Sequence, residues 1–341
     1  MLRAVVVLGV WGVGLILLAG AVLRMTWHDG AVPLIWFNAF TPYVYLPIYV
    51  VLLVAWWLKR RVLVAMSLAI AACHLVWIVP DLLPAKSEDP SGTSNWDSPH
   101  EPVASADGLR QFRVLCHNVW TWNDAYDTVY AEFEAADPDV LYLTEFSRLW
   151  YRAGKQRGFF DRYAYSTTPG RYTGQDALYS KYPIKILRRH AVVRRQIIQA
   201  VLDVDGTPLQ VVGVHVPRPL PEGSEHQPLE YNRYFEKLLE VVADGRGPRV
   251  VLGDFNATQH ARWYQRVVAE RLRSAHNAVG RGWATSWPNG QDWLPPIRID
   301  HVLISPNITC LNVWEGRGAG SDHKPIIADL CLPGDPDGEE E

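Results

Sequence analysis

Cysteine is scarce in this chain. There are four in 341 residues, Cys73, Cys116, Cys310 and Cys331. None is spaced as CxxC, which argues against a structural zinc site. An excess of one charge is missing too. The formal net charge is -3, so any affinity for nucleic acid has to be local. No internal repeat is present, which sets solenoid architectures aside. Residues 82–110 hold few apolar side chains and many Pro, Ser, Asp and Glu. Such a composition cannot bury a core and reads as a flexible tether. Cys310 and Cys331 leave two readings open. They pair as a disulfide if the domain is exported, or they are two small buried core residues.

Long apolar runs are confined to residues 1–84. They occupy Ala4–Leu23, Tyr43–Leu58 and Val62–Pro80. The first and third approach the ~20 residues that a spanning helix requires. The second is shorter, with Thr41-Pro42 suiting its start. Tryptophan is abundant, at 15 residues. Trp11, Trp27, Trp36, Trp56, Trp57 and Trp77 lie in or beside these runs, where an amphipathic ring suits the membrane interface. Lys59-Arg60-Arg61 separates the second and third runs. A loop this short makes a tight helical hairpin, and its positive charge stays cytoplasmic. The expectation is a multi-pass membrane protein with residues 1–81 as three transmembrane helices. The amino terminus is then inside, and residues 24–42 and all that follows Pro80 are outside. The first run has a rival reading. Arg3, an apolar stretch and Ala19-Gly20-Ala21 also have the layout of a signal peptide. Cleavage there leaves the hairpin, and the large domain stays outside.

From Gln111 the pattern changes to short apolar runs parted by turns and amphipathic segments. Strands are expected at Phe112–Cys116, Val140–Leu143, Ala177–Tyr179, Ile197–Val204, Leu209–Val214, Val250–Leu252, Ile299–Ile304, Ile308–Val313 and Ile326–Leu332. Helical spacing covers Thr128–Ala136, residues 229–243 and about 260–272. Many strands with a few helices suggest a mixed α/β architecture over 111–334, before an acidic tail at 335–341. Polar residues fall repeatedly at the strand ends. Apolar runs close on Asn118, Glu145, His215, and Asp254 with Asn256. Asp300 and the pair Asp322-His323 come just before two others. Strands of one sheet would gather these carboxylates, amides and imidazoles in a cleft. Hard oxygen donors of this kind suit Mg2+, Mn2+ or Ca2+ rather than zinc.

The ordered series HNVW, TEFS, GVHVP, GDFNA, RIDHVL and GSDHKP resembles the endonuclease/exonuclease/phosphatase superfamily. The resemblance runs through residues 112–332. It implies a four-layer α/β sandwich of two mixed sheets and hydrolysis of a phosphoric ester or anhydride with a divalent metal. It assigns Glu145 to the metal, with Asp322 completing that site. Asn118 orients a metal ligand or the phosphate. Asp254 and Asn256 position the attacking water and the phosphoryl group. Asp300 orients His323, which binds the scissile phosphate or moves a proton. His215 contacts the phosphate and helps the leaving group depart. His301 is read as structural. Two departures weaken a DNA-repair assignment. Trp120 stands where several repair enzymes carry an acid, and His215 where they carry a tyrosine.

Arg171, in the loop before Ala177–Ser180, is a candidate phosphate contact or a plain surface cation. A nuclease needs a basic groove. Arg188, Arg189, Arg194 and Arg195 form a basic cluster, although a solvated strand face explains them as well. A domain held at the bilayer reaches lipid-linked phosphates easily. Three amino-terminal spans before an external domain resemble, in layout, bacterial membrane proteins associated with glycopeptide (teicoplanin) resistance. Trp150, Trp263, Trp283, Trp287 and Trp293 either rim a lipid site or pack in the core.

Overall fold

The computed structural model describes residues 2–83, 110–168, 175–219, 227–243, 245, 247–291 and 293–332. The acidic tail, most of the tether and Arg171 lie outside the described residues.

The amino-terminal part holds α1 (Leu2–Thr26), α2 (Val32–Ala39), α3 (Thr41–Val44), α4 (Pro47–Trp57) and α5 (Arg61–Leu82). Among the described residues α1 and α5 are long and apolar enough to cross a membrane. A third span results if α2 and Thr41–Trp57, bent by 76°, count as one. The middle segment is broken for a readable reason. Pro33, Pro42 and Pro47 each sit in the first turn of a new helix. A proline lacks the N–H that a continuing helix would bond, and it is best accommodated where a helix begins. At ~1.5 Å per residue α4 alone is far shorter than a ~30 Å hydrocarbon layer. Leu17, Ala21, Ile48, Val51, Leu63 and Ile70 pack α1, α4 and α5 together. Yet only 22% and 28% of the apolar windows of α1 and α5 are buried. Leu8, Ile16, Val50, Trp56 and Val76 point outward. An apolar exterior this extensive needs a lipid or protein cover.

The second part holds β1 (Arg110–Asn118), α6 (Tyr126–Ala136), β2 (Val140–Thr144), α7 (Arg148–Gln156), β3 (Tyr165–Ser166), β4 (Ala177–Ser180), β5 (Ile184–Val192), β6 (Arg195–Val204), β7 (Thr207–His215) and α8 (Gln227–Ala243). There follow β8 (Arg249–Asp254), α9 (Arg262–Ala269), β9 (Arg273–Ser274), α10 (Ala275–Ala278), β10 (Asp300–Ile304), β11 (Thr309–Glu315) and β12 (Ile326–Leu332). Two six-stranded sheets result, ordered β11-β12-β1-β2-β4-β3 and β5-β6-β7-β8-β10-β9. Each is mixed. Each has a parallel pair near its centre, β1 with β2 and β7 with β8, among antiparallel neighbours. One apolar cluster fills the space between the sheets, with Val114, Cys116, Tyr142, Val211, Leu252 and Val302. A second binds α8 and α9 to one outer face, and a third binds α6 and α7 to the other. The layers are helix, sheet, sheet, helix, as expected.

The anticipated strands and helices form. β5 and α7 were not anticipated. β5 is an edge strand with Lys185 through Arg189 exposed, so it shows no apolar alternation. α7 is nine residues long and mostly polar. All four cysteines are free thiols, and Cys310 and Cys331 are buried core residues.

The two parts touch. Asp29 Oδ2 accepts from the Arg262 N–H at 2.5 Å, capping the start of α9. Trp36 Nε1 donates to the Pro219 carbonyl at 2.7 Å, and the Tyr43 hydroxyl to that of Pro296 at 2.7 Å. Asp81, at the end of α5, pairs with His260 at 3.0 Å with both side chains buried. Ile35 joins the apolar cluster under α8 and α9. At Gly282 a Cβ would come within 2.2 Å of the Asp81 carbonyl oxygen, so the two backbones meet only because that residue is glycine.

Tyr142 crosses the interior between the sheets, and Gly213 makes room for its ring. A Cβ at Gly213 would lie 2.3 Å from that ring. Gly213→Ala is expected to destabilise the protein by about 2 kcal/mol through overpacking. Chemical denaturation of the full chain in detergent measures this, and unchanged stability would show that the ring does not press on this strand.

Candidate active site

In a strand, side chains alternate between faces. In β1, β7, β8 and β10 the series that points between the sheets is apolar for most of its length. Val114 and Cys116 lead to Asn118, and Leu209 and Val211 lead through Gly213 to His215. Val250 and Leu252 lead to Asp254, and Ile304 and Val302 lead back to Asp300. The register aligns these ends. Asp254 stands directly opposite both His215 and Asp300. Opposed residues share a face, so the three side chains emerge side by side. Asn118 comes from the facing sheet, where it is paired with Thr144, and Glu145 follows one residue later.

Hydrogen bonds fix this set. Asp254 accepts three. Its Oδ1 takes the Asn256 N–H at 2.8 Å, and its Oδ2 takes the Asn256 amide at 3.1 Å and the Asn118 amide at 3.1 Å. The Asn118 Nδ2 also donates to Glu145 Oε1 at 3.3 Å, so one amide bridges the two carboxylates across the sheets. Glu145 Oε2 accepts from the Thr121 N–H at 3.3 Å. Burial opposes the charge of Glu145. His215, the Asn118 amide and the Thr121 N–H nevertheless hold its carboxyl below the usual value. Trp120, Glu145 and Asn256 all have positive φ, at 57°, 53° and 44°. For such residues this costs ~1–2 kcal/mol each, and strain of this kind gathers at functional sites.

His323 is held from several sides. Its Nδ1 donates to Asp300 Oδ2 at 2.8 Å, and its Nε2 lies 4.0 Å from Asp254 Oδ2. The Ser321 hydroxyl donates to the Asn118 carbonyl and accepts from the His323 N–H, which ties this turn to β1. Burial works against a charge on His323, but the Asp300 and Asp254 carboxylates push it up to about 10. Burial lifts the Asp300 carboxyl to about 6 even though His323 pulls against it. At neutral pH the pair is therefore imidazolium and carboxylate. Ser286 positions Asp300 by accepting its backbone N–H at 3.0 Å. His215 has a matching arrangement. Its Nδ1 lies 3.0 Å from Asp176 Oδ1 and 2.8 Å from the Arg195 guanidinium, and its Nε2 faces Glu145 Oε1 at 3.9 Å.

These groups line one cavity of about 380 Å³. Asn118, Glu145, His215, Asp254, Asn256, Asp322 and His323 all lie on its wall. Asp300 sits behind His323. Asp322 Oδ2 accepts from Trp287 Nε1 at 3.3 Å. His301 is fully buried, its Nε2 bonded to the Ala257 carbonyl, as a structural residue should be. Ser286 and the lining cation Arg218 are not identified from the sequence, which shows Asp176 only as the end of the 170–176 loop beside the cleft and Arg195 only as one of a basic cluster. Asp176 precedes a short strand and carries no motif of its own. The tryptophans divide. Trp287 lines the cavity, Trp150 is buried, Trp263 stacks on Phe235, Trp283 meets Tyr43, and Trp293 is exposed. Trp120, Trp122 and Trp36 line the cavity instead.

A divalent cation fits the donors. Among the described residues the tightest group of ligand-type atoms is Asp254, Asp300 and His323, within 4.8 Å of one another. There the His323 Nδ1 is already committed to Asp300. Glu145, on the cavity wall with the Asn118 amide and the Thr121 N–H as hydrogen-bond partners and His215 Nε2 at 3.9 Å, is a hard-oxygen donor suited to a cation. The Asp300 Oδ1 has no hydrogen-bond partner despite its burial.

A two-sheet sandwich with carboxylates, amides and paired imidazoles at one end defines a phosphoester-cleaving class. The profile of the Endonuclease/Exonuclease/phosphatase family matches residues 115–323, and the chain belongs to that family. Its members hydrolyse phosphoesters and generally use divalent metals. The fold is similar to that of an endonuclease/exonuclease/phosphatase from Beutenbergia cavernae DSM 12333, at 18% identity and TM-score 0.51, over 66% of this chain and 72% of that one. It is also similar to the 3′ phosphatase NExo from Neisseria, at 19% identity and TM-score 0.52, over 64% and 98%. TDP2 from D. rerio, complexed with single strand DNA product, aligns at 14% identity and TM-score 0.52, over 64% and 98%. At these identities the likeness is one of fold. No match was found among curated proteins.

Asp300→Ala strands a buried imidazole and is expected to cost about 3 kcal/mol. Adding His323→Ala should restore at least ~1 kcal/mol of that loss. Denaturation of the single and double variants tests the coupling, and strictly additive losses would refute it.

Proposed function

We propose that the chain is a membrane-anchored, divalent-metal-dependent phosphohydrolase. Its catalytic part lies outside the cytoplasm and acts on a lipid-linked phosphate or pyrophosphate. The observation that carries the hydrolase reading is the Asp254 carboxylate, fixed by three donors, facing an imidazolium locked by Asp300 across a 4.0 Å gap. That gap is too long for a direct hydrogen bond and lies at the cavity wall.

A divalent cation held by Glu145, with Asn118 and Asp322 beside it, would polarise a phosphate oxygen and offset its charge. The other roles belong to the chain itself. Asp254 orients and deprotonates the attacking water, and its fixed lone pairs keep that water in line. Asn256 holds Asp254 and adds no repulsive charge. His323, kept protonated, donates to the phosphoryl oxygens as negative charge develops on them. His215, held between Asp176 and Arg195, supplies a proton to the leaving oxygen.

The membrane reading is supported by the outward apolar faces of α1 and α5. It is also supported by where the charges lie. Lys59, Arg60 and Arg61 are exposed at the α4–α5 turn. Asp29, Trp36, Tyr43 and Asp81, from the opposite helix ends, meet the catalytic part. With the basic turn cytoplasmic, the catalytic part is external. The layout shared with the glycopeptide-resistance proteins favours a lipid-linked substrate. The arginine cluster does not favour a nucleic-acid groove. Arg188 is exposed on an edge strand, Arg189 bonds the Thr167 carbonyl, and Arg195 turns into the cavity.

Glu145→Ala, Asp254→Ala and His323→Ala should each lose at least ~100-fold in turnover while remaining folded. A chelator should abolish wild-type activity, and added Mg2+ should restore it. Release assays on a prenyl pyrophosphate, a phospholipid and DNA compare the substrates. Wild-type turnover in all three variants would sink the mechanism, and activity on DNA alone would overturn the substrate class.

A further inference from the structure

The cavity has a second wall that the catalytic chemistry does not use. Ile35, Trp36 and Ala39 of α2 line it, although α2 belongs to the amino-terminal helical part. They face Ala261, Ile297 and Ile299 of the catalytic part in the same cavity. These six side chains offer almost no hydrogen bonds to a ligand. The Trp36 Nε1, the one donor among them, is already given to the Pro219 carbonyl at 2.7 Å. The cavity thus carries, besides its acids, amides and imidazoles, an apolar channel wall made by these six side chains.

We infer that α2 is a specificity element of the active site, in which Ile35, Trp36 and Ala39 bind the aliphatic chain of a phosphate-bearing lipid. The occupant follows from position. α2 is joined to the apolar stretch Thr41–Trp57 with a bend of 76°. The wall is therefore made by chain that emerges directly from the segment facing lipid, and an acyl or prenyl tail leaving the bilayer meets it first. Placement of α2 is rigid. Ile35 is 7% exposed in the cluster under α8 and α9. Asn38, in the same helix, is fully buried and accepts from Arg24 at 3.2 Å while donating to Asp29 at 2.7 Å. Asp29 in turn caps α9. A water-soluble phosphoester would leave this channel wet and gain nothing from it, whereas an aliphatic chain gains about 0.8 kcal/mol per buried methylene. The inference rests on the hydrolase reading above and deepens its substrate side.

The test uses the full chain in detergent or nanodiscs, with geranylgeranyl pyrophosphate and isopentenyl pyrophosphate as probes. They share a head group and differ in chain length. Wild type should prefer the long chain. Trp36→Ala should lower the long-over-short ratio of kcat/KM by about tenfold, chiefly through KM for the long chain. Trp36→Phe, which keeps the apolar ring and loses only the bond to Pro219, should retain most of the ratio. Ala39→Trp, which fills the channel, should lower it again. Thermal unfolding confirms that each variant is folded. Equal falls on both probes, or an unchanged ratio in both Trp36→Ala and Ala39→Trp, would overturn the role of α2 and leave the hydrolase standing. A wild type that cleaves neither probe and no phospholipid with any divalent metal, but cleaves a water-soluble phosphoester, would reject the lipid chain itself. A wild type that cleaves no phosphoester would reject the hydrolase reading and this one with it.

Discussion

Two sheets packed face to face share one interior, and period-two alternation commits every second residue of each central strand to it. Along most of that interior only apolar groups are admissible. An unpaired amide or carboxylate there would cost several kcal/mol. At one end the same alternation places Asn118, His215, Asp254 and Asp300 in the gap. These side chains are tolerated because they satisfy one another. Asn118 bridges two carboxylates, Asp254 takes three donors, and Asp300 holds a charged imidazole. Removing one leaves another buried and unpaired, so the set is conditional on its own completeness. The register that makes the core also makes the site.

That dependence explains what could be read without coordinates. The apolar runs and the polar residues that end them are local, and they gave the strands and most of the site. Glu145, Asp254, Asn256, Asp300, Asp322 and His323 stand at or beside the cavity because a strand end is a position the sequence displays directly. Asp176 does not advertise itself. Its role arises from β4 lying beside β2, which brings it 3.0 Å from His215 across 39 residues of sequence. Ser286 is similar, reaching the Asp300 N–H from a loop with no periodicity. β5 was hidden because an exposed edge strand has no buried face to impose alternation. The broken second span was hidden too. The run Tyr43–Leu58 is continuously apolar, but Pro47 restarts the helix within it, and Pro33 and Pro42 begin two short helices ahead of it.

The tryptophans show the same limit. Their number signals an amphipathic surface, but which of them reach the cavity depends on the docking of two parts distant in sequence. Trp36 comes from the helical part and Trp287 from a loop 251 residues later, yet both line one space. Reading the helical segment as an anchor and the rest as a tethered enzyme separates them. The contacts at Asp29, Trp36, Tyr43 and Asp81 join them again.

Those contacts are few for two separate molecules, and their adequacy here has a physical cause. A covalent link holds its two ends at an effective concentration that reaches about millimolar. Lengthening the link adds only about 0.6 kcal/mol of closure entropy per doubling. A modest interface then suffices, provided its geometry is exact enough to exclude alternatives. The buried Asp81–His260 pair supplies that exactness. Two polar groups removed from water tolerate little displacement before each loses its partner, so the pair fixes where the end of α5 meets the catalytic part. The Gly282 backbone, pressed against the Asp81 carbonyl, fixes how closely it approaches. With that corner set and α9 capped by Asp29, α2 is held against the catalytic part by the Trp36–Pro219 bond and the burial of Ile35. The helical part whose outward faces are apolar therefore helps to shape the cavity that holds the candidate site.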